Sequence, residues 1–337
     1  MAEAFEVEKK LLDALKRNPH RFLDERELSE QFGLAAVMDQ EAECAGELER
    51  TVELLRMQGY RIDGDATGGW MLIGLPETIS RFELEEELQT TFLGRCMFTY
   101  RIIGSTNKTA CSLAAGGVPD GTLLVAAEQT DGRGRRGNDW FSPAGGGIWA
   151  SLVLRPGISA RQLGSVGMLA SLSLCLGIEQ HTGLKPLIKW PNDLYLDGKK
   201  LGGVLCEADW RAGQLQYLVL GFGLNVNVEK FPGGLAENST SLSRAKGGPI
   251  HRTALLADIL LKLEEGYFQL LTDGFASFLP RVQVRDYLKS RQVLVEFENG
   301  NRLAGVASGI DENGALLVQE RDCNKMRSVT SGHLVQF

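Results

Sequence analysis

The sequence has little with which to build a metal site or a covalent framework. Its six cysteines, Cys44, Cys96, Cys111, Cys175, Cys206 and Cys323, contain no C-x-x-C pair, and the four histidines lie far apart. Neither a structural zinc site nor a disulfide scaffold is expected from that spacing. A run of about 20 predominantly apolar residues, the length a membrane helix needs, is missing too. The most apolar helical stretch, residues 165–178, is interrupted by serines and glycines. The N-terminus shows no basic start followed by an apolar segment, so no secretory signal is read and the cytoplasm is the expected location. Positive charge is also short: 36 Lys and Arg face 43 Asp and Glu, a net charge of -7. That balance speaks against a protein built around non-specific nucleic-acid or membrane contact, and any grip on phosphate must be local. What is present is 337 residues, 43% of them hydrophobic, with 40 glycines. Such a chain exceeds the usual size of one hydrophobic core, and two or three soluble domains with many turns are expected.

Apolar residues recur at helical spacing over residues 7–16, 28–32 and 48–57, the last pattern stopping at Gly59. The period then changes to two short strands, 60–62 and 70–73, around a turn-rich segment. Three helices followed by a two-stranded wing resemble a winged helix-turn-helix, whose last helix usually enters the DNA major groove. Here the third helical region carries Glu41, Glu43, Glu47, Glu49 and Glu53 against Arg50 and Arg56, and phosphate repels an acidic face. DNA therefore stands as one partner to test, beside a structural or protein-contact role for residues 1–80. From residue 81 to 285 strand-like runs (122–127, 148–154, 202–206, 217–224) alternate with helical ones (163–179, 253–271), the pattern of a mixed α/β domain with one sheet. Residues 286–337 read as strands alone, with Asn-Gly turns at Asn299-Gly300 and Asn313-Gly314, and predict a small antiparallel β-barrel. The fold class is α+β and multidomain.

Three segments bear chemistry. In residues 128–137, Gly132, Gly134 and Gly137 alternate with Arg133, Arg135 and Arg136 directly after an apolar strand. Glycines let backbone amides converge on an anion, and arginines add forked donors for carboxylate and phosphate. The spacing fits G-x-G-x-x-G, yet loop and strand follow where a dinucleotide fingerprint needs a helix, and no Walker pattern is present. A basic surface loop that binds RNA is the bland alternative. The second segment runs from Lys189-Trp190-Pro191-Asn192-Asp193 to Lys199-Lys200-Leu201-Gly202-Gly203. It reads as a β-hairpin with an Asp-Gly turn that also brings amide, carboxylate and ammonium groups to one cleft. In the third, Gly104-Ser105-Thr106-Asn107 precedes a helical stretch, where N-capping is the bland explanation.

Taken together and in this order, Ser105-Thr106-Asn107, Gln129, residues 132–137 and residues 189–203 resemble the biotin–protein ligases. The resemblance runs from about residue 95 to the end. The N-terminal layout is similar to the bifunctional class that carries a winged-helix domain and acts as a biotin-operon repressor. The resemblance implies a central domain like the class II aminoacyl-tRNA synthetases, with a small C-terminal barrel packed against it. It also implies a reaction in which biotin and ATP form biotinyl-5′-adenylate, with Mg²⁺ on the phosphates, before biotin passes to a lysine of a carrier protein. The usual carrier is the biotin carboxyl carrier subunit of acetyl-CoA carboxylase. By the same resemblance Ser105, Thr106, Asn107 and Gln129 line the biotin pocket. Arg133, Gly134 and Arg135 form a loop closing over the intermediate, Arg135 being its main guard. Lys200 meets both the biotin carboxylate and the α-phosphate. Trp140, Lys189, Asn192 and Asn225 help hold the adenylate, Trp140 packing on the adenine, and Asp193 orients or deprotonates the carrier lysine. No residues are assigned as Mg²⁺ ligands, and a homodimer is compatible with the family pattern. Compared with repressor members, the region between Phe32 and Leu48 is lengthened by an acidic insertion. A lipoate–protein ligase and a biotin-sensing regulator without ligase activity remain the rival readings.

Overall fold

The computed structural model describes residues 2–24, 26–28, 41–65, 68–321 and 325–336. It divides into two compact units, Met1–Phe82 and Glu83–Phe337.

In the first unit, helix α1 (Ala2–Arg17) and helix α2 (Glu41–Met57) precede a hairpin of β1 (Arg61–Gly64) and β2 (Trp70–Gly74). Leu11, Leu12 and Leu15 of α1 meet Leu48, Val52 and Leu55 of α2, Tyr60, Ile62 and Phe82 in one core, the i, i+3, i+4 stripe read from the sequence. Leu23 pairs with Trp70 through two backbone hydrogen bonds of 2.9 Å. Of the helical pattern expected at 28–32, Leu28 is helical and buried in this core; residues 29–32 and most of the acidic insertion lie outside the described residues. Residues 41–47, which sequence reasoning placed in that insertion, are instead the first turns of α2. Arg56, at the other end of α2, donates to Ile62 O at 3.0 and 2.8 Å.

The second unit is built on a seven-stranded sheet. Its strands are β3 (Met97–Ile103), β4 (Thr122–Gln129), β5 (Gly147–Leu154), β6 (Leu187–Lys189), β7 (Asp193–Leu196), β8 (Lys199–Arg211) and β9 (Gln214–Asn225), in the spatial order β3-β4-β5-β9-β8-β7-β6. Only β3 and β4 run parallel among these neighbours, and their crossover carries helix α3 (Thr106–Ala115). Ala110 and Ala114 of that helix pack on Leu124, Val153 and Val219. Helix α4 (Leu163–Thr182) is apolar almost all round and buried at most positions. By length and composition the stretch Ala160–Thr182 could cross a membrane, yet most of its apolar part lies inside the fold, packed against helix α5 (Arg252–Asp273) and β8. It is the core helix of this unit, which accounts for its lack of a polar face. Near the unit's start, Glu264 of α5 accepts hydrogen bonds from the amides of Thr91, Phe92 and Leu93 at 2.6, 2.9 and 2.9 Å. Burial alone would raise its pKa, and these bonds outweigh burial and hold it below the ordinary value.

The strand-rich tail forms a five-stranded antiparallel sheet from β10 (Gln292–Glu296), β11 (Arg302–Ile310), β12 (Leu316–Glu320), β13 (Met326–Val329) and β14 (His333–Gln336), ordered β13-β12-β11-β10-β14. It is tied to the large sheet where Trp190 Nε1 donates to Gly314 O at 3.1 Å.

Candidate active site

Cross-strand register assembles the site. On the face of the large sheet that carries α3, one row runs Lys189, Asp193, Gly203, Gly223, Trp149 across five strands. The next row contains Leu205, Gly221, Ser151 and Leu124. Residues on one row share a face because side chains alternate along a strand. A cleft of about 220 Å³ opens over these rows, lined by side chains from all three sequence segments and by Gly332, His333 and Leu334 of the C-terminal sheet.

Glycine in those rows is dictated by close approach. A Cβ at Gly223 would stand 2.6 Å from Trp140 Cε2 and closer still to Nε1. A Cβ at Gly221 would lie 2.6 Å from Asn107 Cγ and overlap its Oδ1. The indole therefore lies flat on β8 and β9, and the amide of Asn107 enters the sheet surface itself.

At the inner end of the cleft, Ser105, Thr106 and Asn107 are buried at the start of α3. Capping, the bland reading for Ser105, does not apply: its side chain makes no cap hydrogen bond. Gln129 Oε1 accepts from Thr106 N at 2.8 Å and from Thr106 Oγ1 at 3.1 Å, and its Nε2 donates to Ser142 Oγ at 2.9 Å. Ser151 Oγ lies 2.8 Å from Thr106 Oγ1 and 2.6 Å from Asn107 Oδ1, and Asn107 Nδ2 donates to Glu207 Oε2 at 2.8 Å. Ser142, Ser151 and Glu207 were missed by sequence reasoning. Ser151 and Glu207 sit within largely apolar strands, and the register alone brings them to Thr106 and Asn107, whereas Ser142 meets Gln129 through an isolated bridge.

The outer end is cationic. The Gly-Arg segment is an ordered hairpin, closed by Trp140 N to Gly132 O at 2.9 Å and Gly134 N to Asn138 O at 2.7 Å. Arg135 Nη1 donates to Asn192 Oδ1 at 3.3 Å, and Asn192 Nδ2 donates to Val204 O at 2.8 Å. Burial of the Arg135 guanidinium, helped by the adjacent Arg136 charge, pulls its pKa below the ordinary arginine value against the pull of Asp193. Arg133 is more exposed and pairs with Asp131 at 3.3 Å. Lys200 forms an ion pair of 2.8 Å with Asp193 and sits 5.2 Å from the Trp140 ring centroid. Lys189 donates to Tyr195 Oη at 3.2 Å. Burial, with Lys200 adding to it and Asp193 opposing, brings Lys189 down to about 8. The Trp140 Nε1 is buried without a hydrogen-bond partner, on the side of the ring that meets Gly223.

Of the residues singled out from sequence, Ser105, Thr106, Asn107, Gln129, Arg133, Gly134, Arg135, Trp140, Lys189, Asn192, Asp193 and Lys200 all line this cleft. Asn225 does not. It is buried at the end of β9, opposite Gly147, outside the lining.

Such a cleft suits a ligand with a neutral hydrogen-bonding head and an anionic tail. Comparison with known proteins agrees. Residues 99–225 match the model of the Biotin/lipoate A/B protein ligase family. Over 318 residues the chain is 32% identical to a Bacillus subtilis protein named bifunctional ligase/repressor BirA, covering 94% of this chain and 95% of that one. With a Paracoccus denitrificans protein named biotin–[acetyl-CoA-carboxylase] ligase it shares 30% identity over 64% of this chain and 90% of the relative. Among solved structures, the biotin protein ligase from Aquifex aeolicus in complex with biotin and ATP superposes with a TM-score of 0.62. That match has 27% sequence identity and covers 71% of this chain and 97% of the other.

Proposed function

Since the chain belongs to the biotin–protein ligases of the biotin/lipoate A/B protein ligase family, we propose that it makes biotinyl-5′-adenylate and loads a carrier protein. In this reading biotin and ATP give the adenylate and pyrophosphate, and the biotinyl group then passes to a lysine of the biotin carrier subunit of acetyl-CoA carboxylase. The observation that carries it is one cleft with a hydroxyl-and-amide inner end and a cationic outer end. Ser105, Thr106, Asn107 and Gln129 would hold the ureido ring. A site built to hydrogen-bond such a group rejects ligands that leave its polar atoms unpaired, which favours biotin over lipoate.

Biotin carboxylate and ATP repel each other, and attack of the carboxylate oxygen on the α-phosphorus gathers negative charge as the bond to pyrophosphate breaks. Lys200 would meet both anions and neutralise that charge, with Lys189 and Arg135 beside it. Trp140, flat on Gly223, would carry the adenine, with Asn192 holding the Arg135 guanidinium over the phosphate. Asn225, two residues beyond Gly223 on the same strand, is buried opposite Gly147 and outside the cleft lining. The Gly-Arg hairpin would shield the mixed anhydride from water until the carrier lysine arrives. In the second step the lysine amine attacks the acyl carbon, AMP leaves, and Asp193 takes up or directs the amine proton. Mg²⁺ would supply charge neutralisation on the triphosphate. The donors fit a phosphate-held ion, because the cleft carboxylates among the described residues are Asp139 and Asp193, and Lys200 already engages Asp193.

For the first unit, the relatives named ligase/repressor span almost this whole chain, which favours a second reading as a winged-helix DNA contact. Against it stand the acids of α2 and an Arg56 already committed to Ile62 O. We assign residues 1–80 to positioning the enzyme or a dimer partner, 81–285 to catalysis and 286–337 to closing the site, in a cytoplasmic enzyme.

Incubation with biotin, Mg-ATP and a biotin carrier domain, followed by detection of label on the carrier, tests the proposal. Transfer should depend on biotin, not be replaced by lipoate, and fall by about two to three orders of magnitude in Lys200→Ala. Adenylate without transfer would instead mark a sensor, and absence of biotin-dependent turnover would refute the reading.

A further inference from the structure

Asn107 is buried, and both ends of its side-chain amide already have protein partners. Its Nδ2 faces two acceptors, Glu207 Oε2 at 2.8 Å and, more distantly, Leu205 O at 3.4 Å. A carboxylate and a carbonyl only accept, which fixes the amide with Oδ1 turned toward Ser151. That oxygen also only accepts, so the Ser151 proton must go to it, at 2.6 Å. Ser151 Oγ is then left with lone pairs facing Thr106 Oγ1 at 2.8 Å. On the other side of Thr106, Gln129 has its amide nitrogen committed to Ser142, so it presents Oε1, again an acceptor, at 3.1 Å. The Thr106 hydroxyl has one proton and two acceptors competing for it. No protein donor among these neighbours is aimed at its oxygen.

We propose that Glu207 is a positioning residue for recognition of the ligand head group. By receiving the Asn107 amide it sets the direction of the Asn107–Ser151–Thr106 chain and keeps the Thr106 oxygen available to a ligand N–H. This rests on the biotin reading above, since a ureido ring supplies such an N–H and a dithiolane does not. Glu207 itself lies on the β8 row next to Leu205, paired with Val219, outside the cleft lining. Its influence passes through a run of three hydrogen bonds. Gly221 is part of the device, since any side chain there would occupy the place of the Asn107 amide.

Reversing the acceptor reverses the chain. In Glu207→Lys an ammonium, which only donates, turns the Asn107 oxygen outward and its nitrogen toward Ser151. Ser151 must then donate to Thr106, which fills the lone pair meant for the ligand. Glu207→Gln still offers an oxygen and conserves the original direction. The experiment measures biotin-dependent pyrophosphate release in the full-length protein, with separate KM values for biotin and ATP and a melting curve for each variant. The KM for biotin should rise about 3- to 10-fold in Glu207→Lys, the loss of one neutral hydrogen bond, and stay near wild type in Glu207→Gln. The KM for ATP should not change. In a Ser151→Ala background the chain is already cut, so Glu207→Lys should add nothing. An unchanged KM for biotin in Glu207→Lys overturns the inference, as do equal effects of Lys and Gln or additive effects with Ser151→Ala. A wild-type protein that releases no pyrophosphate with biotin overturns the underlying reading instead.

Discussion

Gly223→Ala isolates the surface on which Trp140 rests. The new methyl group would stand 2.6 Å from Cε2 of the indole and 3.0 Å from Cδ1. Ordinary van der Waals contact between carbons begins near 3.5 Å, so the ring must withdraw by about 1 Å. The strand cannot yield in its place, because Gly223 is paired on both sides, to Trp149 of β5 and Gly203 of β8. If the fold absorbed the clash locally it would lose about 1–3 kcal/mol. The cheaper response is for Trp140 to lift with its hairpin, carrying it away from Lys200. A displacement of about 1 Å in a positioning group costs on the order of 100-fold in rate. We therefore expect kcat/KM for ATP in biotin-dependent pyrophosphate release to fall by about two orders of magnitude, with the melting temperature little changed. Gly203→Ala serves as the graded comparison, because its methyl would sit 3.8 Å from the Trp140 ring and 3.3 Å from Asp193 Oδ1. It should be much milder toward ATP. Wild-type kinetics in Gly223→Ala would refute the assignment of Trp140 as the nucleotide surface. A collapse in stability without a specific effect on ATP would refute the reasoning that the hairpin gives way before the sheet.

Two further outcomes follow from the charges. Burial sets Lys189 at about 8, so adenylate formation should decline as pH rises through that value and the cation facing phosphate is lost; Lys189→Arg should hold the rate across the same window. The stability effect has the opposite sign. An unfolded lysine keeps its proton to about 10.4, the unfolded chain binds more protons between the two values, and this side chain's contribution grows with pH there, readable as a rising urea midpoint. In the first unit, the acidic α2 should leave biotin-operon DNA unshifted in a gel at physiological salt, even with the adenylate present. Nanomolar, salt-sensitive binding would restore the repressor reading.

The parts of the site that could be read from sequence are those whose chemistry is local. The Gly-Arg segment and residues 189–203 each hold their donors within a dozen positions, and both reach the cleft as expected. Ser151 and Glu207 could not be read this way, because Ser151 sits among Trp149, Leu152 and Val153 and Glu207 beside Cys206, with nothing nearby to suggest a partner. Their meaning comes from β5 and β8 lying one strand either side of β9. Asn225 shows the reverse case: an asparagine in a suggestive position at a strand end that is buried outside the cleft lining. The start of α2 is not legible in the sequence because residues 41–47 lack an apolar stripe.

The bond from Trp190 to Gly314, and the lining supplied by residues 332–334, make the cleft the joint property of two sheets. During synthesis the seven large-sheet strands emerge complete while one wall of the cleft does not yet exist. The cleft lining is therefore completed only once residues 332–334 have been made.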